Sequence, residues 1–254
     1  FFLYFAFPSP HAPIIPNDEF DGKSGAGPYG DFVYETDDAC GRILKALKQS
    51  GQADNTIVIF TADNGPEGYA YKRDETFDHW SAEPFRGLKR DIYEGGHHVP
   101  FIIKWPGVTK AGSTCDKLVS QIDFMGTIAS SLGYKLPDDA AEDSHDILPL
   151  LHGRKKTPRT VHVHNTRAEA WAIRVGEWNL IAGKSGYHSG RRKPWEEKRN
   201  YPADDDDRVE LYHYAKDISQ RNNLAKKFPM KVVELQKELK VARERGFTAP
   251  RLLK

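Results

Sequence analysis

The sequence has few cysteines, no long apolar run and no excess of charge of either sign. Its two cysteines, Cys40 and Cys115, are too few for a disulfide scaffold, and they do not decide the redox compartment. No apolar stretch approaches the roughly 20 residues that a membrane-spanning helix needs, so we expect no membrane partner. Lys and Arg number 37 against 36 Asp and Glu, a formal net charge of +1, which gives no indication of nucleic acid as a partner.

The chain also has no methionine at its start. It begins with FFLYFAF, an apolar stretch followed by a proline-rich loop, which is the pattern of a strand buried on both faces. A buried strand is an uncommon way to begin a native chain, so we expect the sequence to start inside a larger protein. An initiator methionine close upstream of Phe1 would refute this hypothesis.

What is present is a succession of strand and helix patterns. Residues 1–7 and 56–62 are apolar without polar alternation, which predicts strands buried in a parallel sheet. Between them, apolar residues recur every three or four positions from Asp31, a plausible N-cap, to Gly51, a plausible stop. Strand, helix and strand at this spacing predict a βαβ unit. This βαβ unit depends on the strand at residues 1–7. A further short strand is expected around 100–105.

A second amphipathic helix is predicted within residues 116–134. Six apolar residues fall on one face of this helix, which we expect to be buried: Val119, Ile122, Met125, Ile128, Ala129 and Leu132.

The pattern changes after residue 152. We therefore divide the chain into an α/β part, residues 1–152, and a small α+β part, residues 153–254. In the second part, TVHVHN, AWAIRVGEWNLIAG and VELYHY have the alternation of antiparallel strands, with a hairpin turn at Gly176-Glu177. A final helix is predicted from Pro229 to Gly246.

Asp63 and Asn64 follow the predicted strand at 56–62 directly. Ligands bind at the carboxyl ends of strands in open α/β sheets. A carboxylate and an amide carbonyl are the oxygen donors that Ca²⁺ or Mg²⁺ prefers, and Gly65 would let the backbone turn away. The same three residues also form a common turn sequence, so an Asx turn without a metal fits equally.

Two other residues could bind an anion. His11 lies in SPHAP, just past the first predicted strand, where it could donate a proton to a leaving group or remain an exposed loop residue. Lys89 lies in FRGLKRDIYEGGHHVP, and its compact ammonium suits a phosphate or sulfate. The alternative for this segment is a solvated basic loop.

Taken together, these blocks resemble the type I sulfatases, the arylsulfatase branch of the alkaline phosphatase superfamily. The resemblance rests on the succession of TIVIFTADNGPEG, FRGLKRDIYEGGHHVPFIIKWPG and ELYHYAKDISQRNNLA, together with PHAP and YGDFVYETDDACGRIL. It implies an alkaline-phosphatase-like α/β sandwich with a mostly parallel central sheet, of which this chain holds a part. A small C-terminal antiparallel sheet packed on a helix would follow.

The resemblance also implies a role for each matching residue. Asp63 and Asn64 match the calcium-ligand pair, with Mg²⁺ as an alternative cation. Lys89 matches the lysine that holds the sulfate, and His11 matches the histidine beside the sulfate and the leaving oxygen. The implied activity is hydrolysis of aryl or carbohydrate sulfate esters, and the implied location is a secreted, periplasmic or lysosomal-type compartment.

The sequence departs from the family pattern in three places. Members carry C/S-x-P-S/A-R, whose Cys or Ser becomes formylglycine, and no such stretch occurs here; CGRIL around Cys40 lacks the proline and the spacing. The early aspartate pair that completes the metal site is also absent. Both features belong to the N-terminal half of the family, so we expect that half as a partner. His98 stands where Y-E-G-G-x-R-x-P has arginine.

The substrate is the least defined part of this prediction. The loop at 67–85 and the segment HVHNTRAEAW are expected to line the pocket for a sulfated saccharide or small molecule. The candidate contacts are His79, His98, His164 and Arg167. Two other functions remain open: a phosphodiesterase or phosphonate hydrolase of the same superfamily, and a catalytically inactive fragment or binding module.

Overall fold

The structure, a computed structural model, describes residues 1–166, 170–183, 193–201 and 209–250. The chain separates into two compact units. The first contains Phe1–Val58 and Tyr69–Ser81, and the second contains Ile59–Gly68 and the chain from Ala82 onward. These units are defined by compactness and do not divide at residue 152, so the predicted domain boundary stays a prediction.

The first unit is built on one long helix and a shorter one. Helix α1 spans Gly27–Gln49 and helix α2 spans Ala70–Phe77, with a 3-10 turn at Ala53–Asn55 between them in the sequence. The guanidinium of Arg73 on α2 lies 3.6 Å from the ring centroid of Tyr29 on α1. This cation–π contact joins the two helices.

The predicted N-cap of α1 is wrong, because the helix begins before Asp31. The buried carboxylate of Asp31 accepts hydrogen bonds from the backbone N–H groups of Gly22, at 3.1 Å, and Ser24, at 2.8 Å. Asp31 therefore fastens the preceding loop to the helix instead of capping it. The predicted stop is confirmed: α1 ends at Gln49, and Gly51 has a positive φ of 72°.

The predicted strand at residues 1–7 is also wrong, and with it the predicted βαβ unit. No strand of the described residues pairs with this segment, and the large side chains of residues 1–5 are exposed, from 55% for Phe5 to 91% for Phe2. A β-strand needs a neighbour to accept and donate its backbone hydrogen bonds, and an apolar sequence alone does not supply one.

The second unit contains a two-stranded sheet followed by short helices. Strand β1 spans Val58–Thr61 and pairs with strand β2, Phe101–Lys104, which confirms a strand at both predicted places. The predicted burial of the first of these strands is wrong, because Ile59 and Phe60 are 37% and 39% exposed. Helix α3 is one turn, Glu94–His97, and helices α4 and α5 span Asp123–Ser131 and Leu148–Leu151. Within the described part of the chain, every helix is too short or too polar to cross a bilayer.

Helix α4 buries a different face from the predicted one. Ile122, Met125 and Leu132 are exposed, whereas Asp123 is fully buried. The Asp123 carboxylate accepts hydrogen bonds from Nε and Nη2 of the buried Arg159, at 3.0 and 2.5 Å. It also accepts one from the backbone N–H of His145. A satisfied buried ion pair fixes the orientation of the helix, so the apolar periodicity was not a guide to its buried face.

The C-terminal part forms a four-stranded antiparallel meander, as predicted. The strands are β3 (Val161–Asn165), β4 (Trp171–Val175), β5 (Trp178–Ala182) and β6 (Val209–His213), in the order β3-β4-β5-β6. The hairpin turn between β4 and β5 uses Gly176, whose φ is 57°.

Two helices accompany this sheet in the sequence. Helix α6 spans Lys193–Lys198, and helix α7 spans Pro229–Arg245. The predicted bounds of the final helix are confirmed, since Gly246 ends α7 in the left-handed region with a φ of 78°.

Both faces of the antiparallel sheet are covered. Because side chains alternate along a strand, neighbouring residues of β4, β5 and β6 face opposite sides. Ile173, Leu180 and Leu211 pack against Leu235 and Leu239 of α7. On the opposite side, Ala172, Ile181 and Tyr212 cluster with Ile92 and Tyr93. The segment around residue 92 therefore packs on the face of the sheet opposite α7.

Candidate functional site

The loop that follows β1 carries the predicted ligand pair. Asp63 is exposed and Asn64 is half-buried, and Nδ2 of Asn64 donates to the carbonyl of Gly65 at 2.8 Å. The amide Oδ1 of Asn64 and the carboxylate of Asp63 form no hydrogen bond with other described residues. Nε2 of Gln121 donates to the Ala62 carbonyl at 2.5 Å, which anchors the end of the strand.

Lys89 lies on a second loop that is hydrogen-bonded to the first. The backbone N–H of Lys89 donates to the Pro66 carbonyl at 2.8 Å, and the N–H of Gly65 donates to the Gly96 carbonyl at 2.9 Å. Glu67 and Arg90 form an ion pair between the same two loops. The structure therefore places the predicted metal-ligand loop and the predicted sulfate-binding loop side by side.

Glycines make this close approach of the two loops possible. A Cβ at Gly65 would collide with the Gly95 carbonyl oxygen, and a Cβ at Gly95 would lie 2.7 Å from the Arg86 carbonyl oxygen. These contacts are with backbone atoms, which cannot rotate away. The glycines of the D-N-G and E-G-G blocks are thus required by packing between loops.

A buried arginine fixes the second loop on the antiparallel sheet. Nη1 of Arg86 donates to the Tyr212 hydroxyl at 3.0 Å and lies 3.8 Å from the Glu210 carboxylate. Its guanidinium carbon lies 4.1 Å from the ring centroid of Tyr93. Sequence reasoning grouped Arg86 with the basic loop, because its partner Tyr212 is 126 residues away and no local pattern distinguishes the two cases.

The Lys89 ammonium has a favourable environment for an anion. No carboxylate of the described residues forms an ion pair with it. A hydrogen bond from Arg90 lowers the pKa of the Glu67 carboxyl, and the charge of Lys89 contributes to the same shift. Lys89 therefore lies near a carboxylate that is already occupied by another cation, which leaves the ammonium available for a ligand.

Glu94 holds two histidines beside this loop. Nδ1 of His98 lies 2.6 Å from one carboxylate oxygen, and Nε2 of His97 lies 3.5 Å from the other. Burial opposes ionisation of Glu94, but the hydrogen bonds from His97 and His98 outweigh it and hold its pKa well below the usual range. The His98 ring stacks on Phe85, with 4.1 Å between centroids.

His164, a predicted substrate contact, lies in the packing between β3 and this segment. Its Nε2 is 3.2 Å from the Ile92 carbonyl oxygen, its ring lies 4.0 Å from the His97 ring, and its Nδ1 is buried without a partner among the described residues. Burial, followed by the charge of His97, keeps its pKa well below the ordinary value. This placement favours a neutral packing role, and the substrate contact stays a prediction.

Three further residues were predicted as site residues: His11, His79 and Arg167. His11 and His79 are exposed in the first unit, and the ring Nδ1 of His11 lies 2.7 Å from the Ala12 carbonyl oxygen. Arg167 lies outside the described residues. The catalytic role of His11 and the substrate contacts of His79 and Arg167 stay predictions.

The loop after β1 fits part of a hard-cation site. Asp63 and Asn64 offer two oxygen donors that are not engaged elsewhere, but Ca²⁺ takes about six to eight oxygens. The described ranges contain no group of three or more His, Cys, Asp or Glu arranged to hold a metal. These two residues could therefore supply part of a coordination shell that other groups would complete.

Comparisons with known proteins identify the family. The family model described as Sulfatase matches residues 1–134. The N-acetylgalactosamine-6-O-sulfatase of Bacteroides thetaiotaomicron is 35% identical over 252 residues, which are 96% of this chain and 47% of that protein. Arylsulfatase A of Homo sapiens is 38% identical over 159 residues, 63% of this chain and 30% of that protein.

The fold is also similar to solved sulfatase structures. A structure from work on the metabolism of multiple glycosaminoglycans by Bacteroides thetaiotaomicron superposes with a TM-score of 0.77 at 32% identity, covering 93% of this chain and 48% of that one. This similarity confirms the predicted α/β fold class. The aligned part of the chain covers between 30% and 48% of the length of these relatives.

Proposed function

The chain belongs to the sulfatase family, and from this we propose that it carries the cation-binding and sulfate-binding loops of an enzyme that hydrolyses sulfate esters. The observation that supports this most is the backbone pairing of the Asp63–Asn64 loop with the Lys89 loop. Two loops with opposite binding preferences, one for a cation and one for an anion, are thereby held next to each other.

Four residues of this chain have a role in the proposed reaction. The oxygens of Asp63 and Asn64 bind Ca²⁺, or alternatively Mg²⁺. The Lys89 ammonium binds the sulfate and stabilises the negative charge that builds on its oxygens. His11 hydrogen-bonds the departing alcohol oxygen and gives it a proton. When bound, a divalent cation would supply further charge neutralisation at the sulfate.

The nucleophile is expected from outside this chain. Formylglycine is generated from C/S-x-P-S/A-R, and these 254 residues contain no such stretch. We propose that a further part of the enzyme supplies it, together with the remaining metal ligands. The exposed apolar side chains of Phe1, Phe2 and Ile102 are consistent with such a partner, because large exposed apolar surfaces mark interaction sites.

We favour a sulfated saccharide as the substrate. The relative that aligns over most of the chain is named as a sulfatase of N-acetylgalactosamine 6-O-sulfate. A more distant solved structure, 22% identical, is described as a complex with D-glucosamine-2-N,6-O-disulfate. Both names refer to a sulfate ester on a sugar. His98 lies on the same loop as Lys89, which supports it as the contact with the sugar.

Lys89→Ala in the full-length protein tests this function. With Ca²⁺ present, the unmodified protein should release sulfate from a saccharide 6-O-sulfate, and Lys89→Ala should lower kcat/KM by about 100-fold or more, since one charge-stabilising group is lost. Lys110→Ala is the matched control, because Lys110 is exposed and lies outside both the Asp63–Asn64 loop and the Lys89 loop.

Three results would contradict the proposal. Equal rates for Lys89→Ala and Lys110→Ala would remove Lys89 from the reaction. Faster hydrolysis of a phosphodiester or phosphonate ester than of any sulfate ester would favour the alternative hydrolase of the superfamily. Absence of turnover on all of these substrates would favour an inactive fragment or a binding module.

A further inference from the structure

His98 is held in one orientation by two contacts. Its Nδ1 lies 2.6 Å from Oε2 of Glu94, whose side chain is only 6% exposed. Its ring stacks on Phe85 with an interplanar angle of 20°. The imidazole nevertheless remains 45% exposed. One edge of the ring is therefore fixed against the protein, and the other faces outward.

The chemistry of Glu94 determines which nitrogen faces outward. An ionised carboxylate can only accept hydrogen bonds, so the His98 nitrogen that contacts it must carry the hydrogen. That nitrogen is Nδ1. The outward nitrogen is then Nε2, which accepts a hydrogen bond when His98 is neutral and donates one when His98 is protonated.

His98 lies on the same loop as Lys89. Gly65 and Pro66 are consecutive, and their backbone groups hydrogen-bond to Gly96 and Lys89 respectively. Lys89 and the residues after Gly96 therefore lie beside the same short stretch of the Asp63–Asn64 loop. A sulfate ester bound by Lys89 would bring the sugar that carries it within reach of His98.

We propose that Glu94 is a positioning residue that turns Nε2 of His98 toward a hydroxyl of the sugar in a saccharide sulfate. This inference rests on the proposed function and assigns a carbohydrate contact to the loop that holds the sulfate. Glu94 itself does not touch the substrate. Its role is to fix the tautomer and the ring orientation, which lowers the cost of ordering the histidine on binding.

A purely structural role is the competing explanation. Glu94 and His98 are four residues apart, and their pairing could serve only to close the turn of α3. His98→Asn separates the two explanations, because the Asn amide keeps a donor near the position of Nδ1 and removes Nε2. A structural role would survive this change, whereas a substrate contact would not.

The expected result for His98→Asn in the full-length protein is a KM about tenfold higher for a saccharide 6-O-sulfate. We expect kcat within about threefold of the parent and an unchanged melting temperature. His152→Asn is the control, since His152 is an exposed histidine after α5, and its KM should equal that of the parent. An unchanged KM in His98→Asn would overturn the inference.

Glu94→Gln provides the second arm. This change keeps the size of the side chain and removes the charge, so it should raise KM by a factor similar to that of His98→Asn. The KM of the double variant should be no higher than that of the more impaired single variant, because both changes act through one contact. Multiplying effects would show that Glu94 does not act through His98. If Glu94→Gln fails to fold, His98→Asn decides alone.

The outcomes also separate this inference from the function on which it depends. A parent protein that releases no sulfate from any ester refutes the proposed function. A parent protein that is active, with His98→Asn unchanged in KM, refutes only the role of His98 and Glu94.

Discussion

The two sheets of the second unit differ in how well their apolar residues are covered. In the antiparallel sheet β3–β6, Ile173, Leu180 and Leu211 are fully buried against α7, and the opposite face is covered by the segment around residue 92. In the two-stranded sheet, Phe60 of β1 is 39% exposed and Ile102 of β2 is 62% exposed. Both sheets have strongly apolar strands, yet within the described residues only the first has its apolar faces covered on both sides.

This difference extends to the two site loops. The Lys89 loop is fixed on the antiparallel sheet by the buried Arg86, which contacts Tyr212 and Glu210. The Asp63–Asn64 loop follows a strand of the less covered sheet and is held mainly by backbone hydrogen bonds to its neighbour. The anion-binding half of the proposed site is therefore expected to be stable, and the cation-binding half depends on it.

The largest expected effect comes from removing Arg86. Arg86→Met should lower the free energy of unfolding by about 3–5 kcal/mol, because the buried Glu210 carboxylate loses its cation. Urea unfolding measures the change. Arg42→Met is the control, since its pair with Asp38 is exposed on α1 and should contribute no more than about 0.5 kcal/mol. Equal effects would show that Arg86 does not fix the loop.

A paired truncation compares the two sheets directly. Ile173→Ala should cost about 2–5 kcal/mol, because it opens a cavity in a fully buried cluster. Ile102→Ala should cost less than about 0.5 kcal/mol in this chain, because most of the Ile102 side chain is exposed. Thermal unfolding measures both. A large cost for Ile102→Ala only in the full-length protein would show that another part of the protein covers β2.

A glycine substitution examines the contact between the two loops. Gly65→Ala should destabilise the protein by about 2–3 kcal/mol, because the new Cβ meets the backbone carbonyl oxygen of Gly95 on the other loop. Gly41→Ala on α1 meets no atom within 4 Å and should instead stabilise by up to about 1 kcal/mol. The same sign for both variants would contradict the close packing of the loops.

The effect that is smallest for a change of one pH unit is a dependence of stability on pH from His162 in β3. Burial, followed by the charge of Arg159, lowers its pKa from 6.5 to about 4. The folded state therefore favours neutral His162, and the unfolded state binds more protons below pH 6.5. Stability should fall as the pH falls from 6.5 to about 4, by about 1.4 kcal/mol per pH unit.

His162→Gln should flatten this part of the stability profile. Urea unfolding of both proteins at several pH values between 7 and 4 gives the two slopes. Parallel slopes would show that His162 is not kept neutral by the fold.

Local patterns in the sequence predicted the antiparallel sheet and its helix. The alternation in β3–β6, the turn at Gly176 and the bounds of α7 depend on neighbouring residues, so they can be recognised without the fold. The positions of Asp63 and Asn64 at the end of β1 followed from the same kind of pattern. Whether they bind a cation could not be derived in this way.

The errors came from contacts between distant residues. The N-cap at Asp31 and the buried face of α4 were predicted wrongly, because a buried acid is fixed by its partners in the fold: backbone groups of the preceding loop for Asp31 and Arg159 for Asp123. Residues 1–7 have the composition of a buried strand, but composition does not supply a neighbouring strand. The roles of Arg86 and Glu94 in holding the site loop also depend on the fold, and no spacing in the sequence indicates them.

The most direct test of the account is a crystal structure of the full-length protein with Ca²⁺ and sulfate bound, the cation being identified by anomalous scattering. The account predicts oxygens of Asp63 and Asn64 at about 2.3–2.6 Å from the cation and the Lys89 ammonium hydrogen-bonded to the same sulfate. Side chains of Asp63, Asn64 and Lys89 directed to separate surfaces, with the cation bound elsewhere, would contradict it.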